Sequence, residues 1–193
     1  MEPPTSSFGL IQRYKNGDAE AFAALFEKYR RRLAVLIHYK LGEHQRRLVD
    51  VDDLLQETFF AASRDLDRFE YRSPGSLLRW LSRIADHVIV DAVRFESRKK
   101  RDGGEAVSFR SESNPGGAEP VDTKTPSRLL AEKQAVEALL DRLNRLPEEY
   151  RQAIVLAKIE GLTTQELAER LGKSRQNAAL LLHRALRRFR ELS

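Results

Sequence analysis

TTQELAERLGKSRQNAALLLHRALRRF, residues 163–189, is the stretch on which the fold turns. Thr163 and Glu166 stand at the spacing of a capping box, in which each side chain satisfies a free amide at a helix start. Leu167, Ala168 and Leu171 supply an inner face for the helix that follows. Gly172 permits a sharp turn, and Ser174 is placed to cap a second helix. A helix, a short glycine-containing turn and a basic second helix make the helix-turn-helix layout, whose second helix enters the DNA major groove.

Five apolar residues, 178–182, interrupt that second helix where a DNA reader is expected to be polar. A helical wheel at about 100° per residue divides them. Ala178, Leu182, Ala185, Leu186 and Phe189 share one arc, with Ala179 close to it and Leu181 at its boundary. Asn177, Arg184, Arg187 and Arg188 lie opposite, with Gln176 at the edge. Leu180 projects among Gln176, Arg184 and Arg187, so it is expected to meet a thymine methyl or a protein partner. Arg175, Gln176 and Asn177 in the first turn can reach base edges, where arginine and amides make paired hydrogen bonds to guanine or adenine. The arginines further along suit phosphates. The plainer reading is a solvated basic face on a C-terminal amphipathic helix. Gly172-Lys173-Ser174 imitates the end of a phosphate-binding loop, but that motif requires glycine at 167, where Leu167 stands, and a preceding strand.

Upstream, helical periodicity continues. Thr125-Pro126 is an N-cap with proline in the first turn, and Leu129, Val136, Leu139, Leu140 and Leu143 form a stripe. Pro147 opens another helix, with Tyr150, Ile154 and Ala157 aligned and Gly161 at its close. Residues 102–125, DGGEAVSFRSESNPGGAEPVDTKT, are poor in large apolar side chains and read as a flexible linker. Before it, Asp18 caps a helix carrying Phe22, Leu25, Phe26, Tyr29, Leu33, Leu36 and Ile37, and Gly42 is a natural stop. A second helix starts near Asp50, and a third near Ser76 with Leu77, Leu81, Ile84, Ala85 and Val88 on one side. No segment alternates as a strand does. The chain is expected to be all-α, with helical domains at 8–101 and 126–193.

The helix from Asp50 has two distinct faces. Leu54, Leu55, Thr58, Phe59 and Ala62 form the apolar one. Asp53, Gln56, Glu57 and Phe60 form the other, either an ordinary wet face or a docking surface with an aromatic anchor and carboxylates for a basic partner. The third helix is basic, with Arg79, Arg83 and Arg94 running into Arg98 and Lys99. Arginine among aromatics suits single-stranded nucleic acid. Trp80 reads better as core, and Tyr71 in the loop EYRSPGS as the exposed stacking residue.

The 193 residues carry a formal charge of +5, and one third are charged. That balance permits an anionic partner. The absence of cysteine excludes disulfide scaffolds and thiolate chemistry. The four histidines, at 38, 44, 87 and 183, are scattered without metal-ligand spacing, so an enzyme, a metal site and a cofactor are not expected. The start lacks the basic and apolar runs of a signal peptide, and no apolar run is long enough for a membrane span, so a cytoplasmic protein is expected.

Together GDAEAFAALFEKYRRRL, DVDDLLQETFFAA, SLLRWLSRIADHVIVDAVR and LPEEYRQAIVLAKIEGLTTQELAERLGKS resemble the sigma-70 family of bacterial RNA polymerase sigma factors, in its extracytoplasmic-function (group IV) subfamily. The resemblance implies a region 2-like first domain and a region 4-like second domain. It implies core RNA polymerase and promoter DNA as partners, with an anti-sigma factor as a further candidate. Asp53, Gln56 and Glu57, with Phe60, fall where the family docks on the β′ coiled coil. Tyr71, Arg79, Arg83, His87, Arg94, Arg98 and Lys99 fall where it recognises and opens the −10 element. Arg175, Gln176, Asn177, Leu180, Arg184, Arg187 and Arg188 fall where it reads the −35 element, in a domain that also touches the β flap. Two departures bear on promoter choice: Ala178-Ala179-Leu180-Leu181 stands where Val-Lys-Ser-Arg is frequent, and Asp86-His87 where Arg-Asn is. The rival reading is an autonomous helix-turn-helix regulator with an unrelated helical sensing domain.

Overall fold

The computed structural model describes residues 6–73, 75–102 and 126–192, the side chains at 99–102, 126, 128 and 129 excepted. The chain divides into two compact units, Met1–Thr123 and Lys124–Ser193. The described part of each is built from helices and turns alone. Residues 103–125, which hold nearly all of the expected linker and its Thr125 cap, lie outside the described residues, as do the Leu129 and Lys99 side chains.

The first unit holds α1 (Ser7–Lys15), α2 (Ala19–Lys40), a single-turn α3 (Glu43–Arg46), α4 (Val51–Asp65), a 3-10 turn (Leu66–Arg68) and α5 (Ser76–Asp102). Short polar side chains start the long helices. Asp18 accepts from the amides of Glu20 and Ala21, and Asp50 accepts from Asp52, which satisfies amides the helix cannot pair itself. Gly42 precedes α3 rather than closing α2, which ends at Lys40. α2, α4 and α5 pack on one another, and α1 lies against α2. The stripe read on α2 forms the core from Leu25 to Ile37, with Phe22 at its edge. All five residues of the α4 apolar face are buried, and Phe59 stacks on Phe26 at 4.1 Å. Burying each of the large ones, Leu54, Leu55 and Phe59, stabilises the unit by roughly 1.5–3 kcal/mol relative to exposure.

His38 is half-buried near the end of α2, and burial, then the Arg46 charge, hold its imidazole below the ordinary value of 6.5. The folded state therefore disfavours the proton, and stability present above that value is lost as pH falls. The unfolding temperature of the chain is expected to decline as pH falls below the ordinary imidazole range, and His38→Gln to flatten the decline. An unchanged slope in that variant excludes His38 as the titrating group.

The second unit holds α6 (Pro126–Asn144), α7 (Glu148–Ile154) running into a π-helical turn (Val155–Ile159), α8 (Thr164–Leu171) and α9 (Arg175–Glu191). Glycine ends two elements where the chain turns with positive φ: Gly161 at 81° and Gly172 at 62°, a backbone conformation that side chains resist. The capping box forms in both directions, Glu166 N donating to Thr163 Oγ1 and Thr163 N to Glu166 Oε2. α9 is covered by α7 and α8. Leu156, Leu167, Ala168 and Ala178 form a small core rimmed by Leu162, Leu171 and Leu182. Arg142 of α6 lies over the Phe189 ring at 4.1 Å and donates to its carbonyl, fastening α6 to the end of α9.

Candidate functional site

In the second unit, the apolar surface of α9 is spent on the core and its first turn is left outside. Ser174 Oγ accepts from the Asn177 amide at 3.2 Å, fixing the helix start. Arg175, Gln176 and Asn177 are exposed there, at the positive end of the helix dipole, where phosphate is favoured. Arg184, Arg187 and Arg188 are exposed further along. Arg187 and Arg188 share Glu191, at 4.0 and 3.1 Å, which tempers their charge. Leu180 is 46% exposed among these residues, in agreement with the wheel. Two expectations need correction. Leu181 is buried rather than at a boundary, and Ala179 is exposed rather than close to the core. Two helices cover α9, so its buried arc is displaced toward Leu181.

In the first unit, α5 presents a basic stripe. Counting about 100° per residue, Arg79, Arg83, His87, Val90, Arg94 and Arg98 fall within an arc of about 100°. Arg83, His87, Arg94 and Arg98 are exposed, Arg79 is half-buried, and Lys99 lies outside the described side chains. Arg79 donates to Ser73 Oγ at 3.2 Å, tying the helix to the loop before it. Asp86 flanks the stripe and is paired with Lys40 of α2 at 2.6 Å. The Asp86 carboxylate therefore serves the α2–α5 seam. Trp80 is half-buried against Phe69 at 4.9 Å. Tyr71 is half-buried too, because its ring leans on Phe8 of α1. Neither Phe8 nor Val90 stands out in the sequence, yet both are exposed apolar side chains beside the basic surface.

The polar face of α4 is only partly outside. Asp53 and Gln56 are exposed and Phe60 is half-buried, but Glu57 is 8% exposed. Because α4 packs against both α2 and α5, its covered arc is wider than one stripe and takes in Glu57. Desolvation, then the Asp50 and Asp52 carboxylates, raise Asp53 above the usual carboxylate range. These three carboxylates concentrate negative charge at the α4 start, a feature that suits a basic partner.

Among the described residues no three His, Asp or Glu side chains are arranged to hold a metal ion. No described helix is long and apolar enough to cross a membrane.

Known proteins resemble this chain over most of its length. RNA polymerase sigma factor CarQ of Myxococcus xanthus is 31% identical over 183 residues, covering 94% of either chain. The ECF RNA polymerase sigma-E factor of Haemophilus influenzae is 26% identical over 160 residues, covering 83% of this chain and 80% of its own. The solved structure of CnrH in complex with the cytosolic domain of CnrY covers 98% of this chain and 97% of its own at 23% identity, with a TM-score of 0.44. The family model described as ECF sigma factor matches residues 6–191. The chain therefore belongs to the ECF sigma factor family and directs transcription initiation as an RNA polymerase sigma factor.

Proposed function

We propose that the three surfaces divide the work of initiation among them. Asp53 and Gln56, with Phe60 as anchor, dock on a basic surface of core polymerase, for which the β′ coiled coil is the partner the family resemblance suggests. The α5 stripe and the loop before it engage and open the −10 element. The first turn of α9 reads base edges in the −35 element, while Arg184, Arg187 and Arg188 meet phosphates. Glu57 contributes to this surface from within, by its place in the α4 packing. The chain supplies recognition in the cytoplasm and leaves the chemistry to polymerase. The observation that carries this reading is that each unit turns one face of a single helix, α5 or α9, outward as arginine while burying the opposite face.

Transcription in vitro with core enzyme on a genomic promoter library tests it. Defined transcripts are expected only when the chain is added. Tight binding to duplex promoter by the chain alone, with indifference to core enzyme, would instead identify an autonomous regulator.

Leu180 refines the −35 reading. An exposed aliphatic side chain in a basic major-groove face suits a thymine methyl rather than a phosphate. Leu180→Lys is expected to strengthen nonspecific DNA binding, to steepen its logarithmic salt dependence by about one, and to flatten promoter choice in the library. If salt slope and promoter ranking both stay put, Leu180 takes no part in reading.

A further inference from the structure

α5 carries a carboxylate where a helix that meets phosphates has least use for one. Counting about 100° per residue, Asp86 lies about 40° from Val90 and about 60° from Arg83, on the rim of the basic stripe. An aspartate left to itself at this place works against an anionic ligand in two ways. It repels phosphates along the stripe. It can also fold onto Arg83, which stands at the i,i+3 spacing that pairs opposite charges on a helix.

The fold sends the carboxylate the other way. Lys40 Nζ donates to Asp86 Oδ1 at 2.6 Å, across 46 positions of sequence. The Lys40 side chain is 19% exposed and that of Asp86 47%, so the bond runs from the α2–α5 seam out to the rim of the stripe. Lysines in the last turn of a helix often turn back to its free carbonyls. At the end of α2, Arg46 of α3 donates to the carbonyls of His38 and Leu41, and Lys40 reaches across to α5. Arg83 stays exposed, below Arg79, which is fixed to Ser73 at the head of the stripe. Partly exposed ion pairs add little to a fold. The placement of this one on the helix that carries the basic stripe points to a second use.

We propose that Lys40 is a positioning residue for the −10 surface: by holding Asp86 against the α2–α5 seam it neutralises the carboxylate and keeps Arg83 open to a phosphate of the promoter. Lys40 acts through Asp86 and touches no DNA. The inference rests on the reading of α5 as a −10 contact.

The test uses the full chain assembled with core polymerase. The probe is a labelled fork-junction DNA with the −10 sequence of a promoter found in the library transcription. Lys40→Met keeps the aliphatic stem and removes the charge. It is expected to weaken binding roughly two- to fivefold, the weight of one exposed ion pair, and to make the logarithmic salt dependence shallower by about one. Lys40→Met/Asp86→Asn should return both to parental values, because no bare carboxylate remains. Should Lys40→Met fold poorly, Asp86→Asn alone still decides: binding equal to the parent or stronger is expected, and weaker binding overturns the proposal. A double variant as weak as Lys40→Met means that Lys40 acts by itself, on DNA or on the seam, and overturns it too. So does parental binding in Lys40→Met, or an equal loss in Lys133→Met, an exposed α6 cation in the other unit that controls for net charge. Arg83→Ala separates the proposal from the reading on which it rests. A loss there with parental behaviour in Lys40→Met overturns the proposal and leaves the −10 reading standing, whereas no loss in either variant removes both.

Discussion

The double variant Asp53→Lys/Gln56→Lys is expected to lose core polymerase capture, with affinity reduced at least about a hundredfold. Two interface residues near the centre of a docking surface, each worth about 2 kcal/mol or more, give a loss of that size, and reversed charge adds repulsion from a basic partner. Both side chains are exposed, so the fold should persist and the unfolding temperature should barely move. Capture by immobilised core enzyme, read together with thermal unfolding, checks both halves. Undiminished capture removes this face from the docking surface. Glu57→Lys is unsuited to the purpose, because a buried cation destabilises the unit whether or not Glu57 meets polymerase.

Asp53 also offers a gentler test. Its carboxyl is raised by desolvation and by Asp50 and Asp52. A raised acid in the folded state favours the proton, so its share of stability is present at low pH and lost as pH rises. At neutral pH the ionised Asp53 therefore works against the fold, despite its favourable place at a helix start. Asp53→Asn is expected to keep or raise the unfolding temperature while weakening capture. A lowered unfolding temperature would make Asp53 a stabilising helix-start residue instead.

Short-range chemistry was legible in the sequence because its partners are a few residues apart. The reciprocal Thr163–Glu166 cap, the left-handed turn at Gly172, the Ser174 cap and the Asp18 and Asp50 caps all depend on local spacing. The apolar face of α4 was legible for the same reason. What periodicity does not carry is how many neighbours a helix has. Glu57 and Leu181 lie outside their stripes, about 60° from Leu54 and Ala178 respectively, and are buried because α4 and α9 each receive two helices. Ala179, on the far side of its stripe, is exposed by the same displacement. α1 escaped notice because it has only nine residues and a glycine at its third position. Pairings such as Lys40 with Asp86 and Phe8 with Tyr71 have no sequence signal, since they arise where separate elements are brought together.

The other large effect is expected from Leu167→Ala in the second unit. Leu167 is 0% exposed, between α8 and the helix that carries the reading face. Truncating a buried leucine removes transfer free energy and leaves a cavity, for about 2–5 kcal/mol. A unit of roughly 70 residues has a stability of about 4–10 kcal/mol at ordinary values per residue, so the change takes a large share of it. Its neighbours Ala168 and Ala178 are too small to fill the space by changing rotamer. The orientation of α9 depends on that seam, and so does the proposed reading of base edges by Arg175, Gln176 and Asn177. The variant is expected to lose −35-dependent promoter selection in library transcription while retaining core polymerase capture through Asp53 and Gln56, which lie in the other unit. Leu167→Met, close in volume, should cost less than about 1.5 kcal/mol and keep selection. Loss of capture in parallel with selection would show that polymerase docking depends on the second unit as well. Retained selection in the alanine variant, despite the lost stability, would place promoter discrimination outside α9.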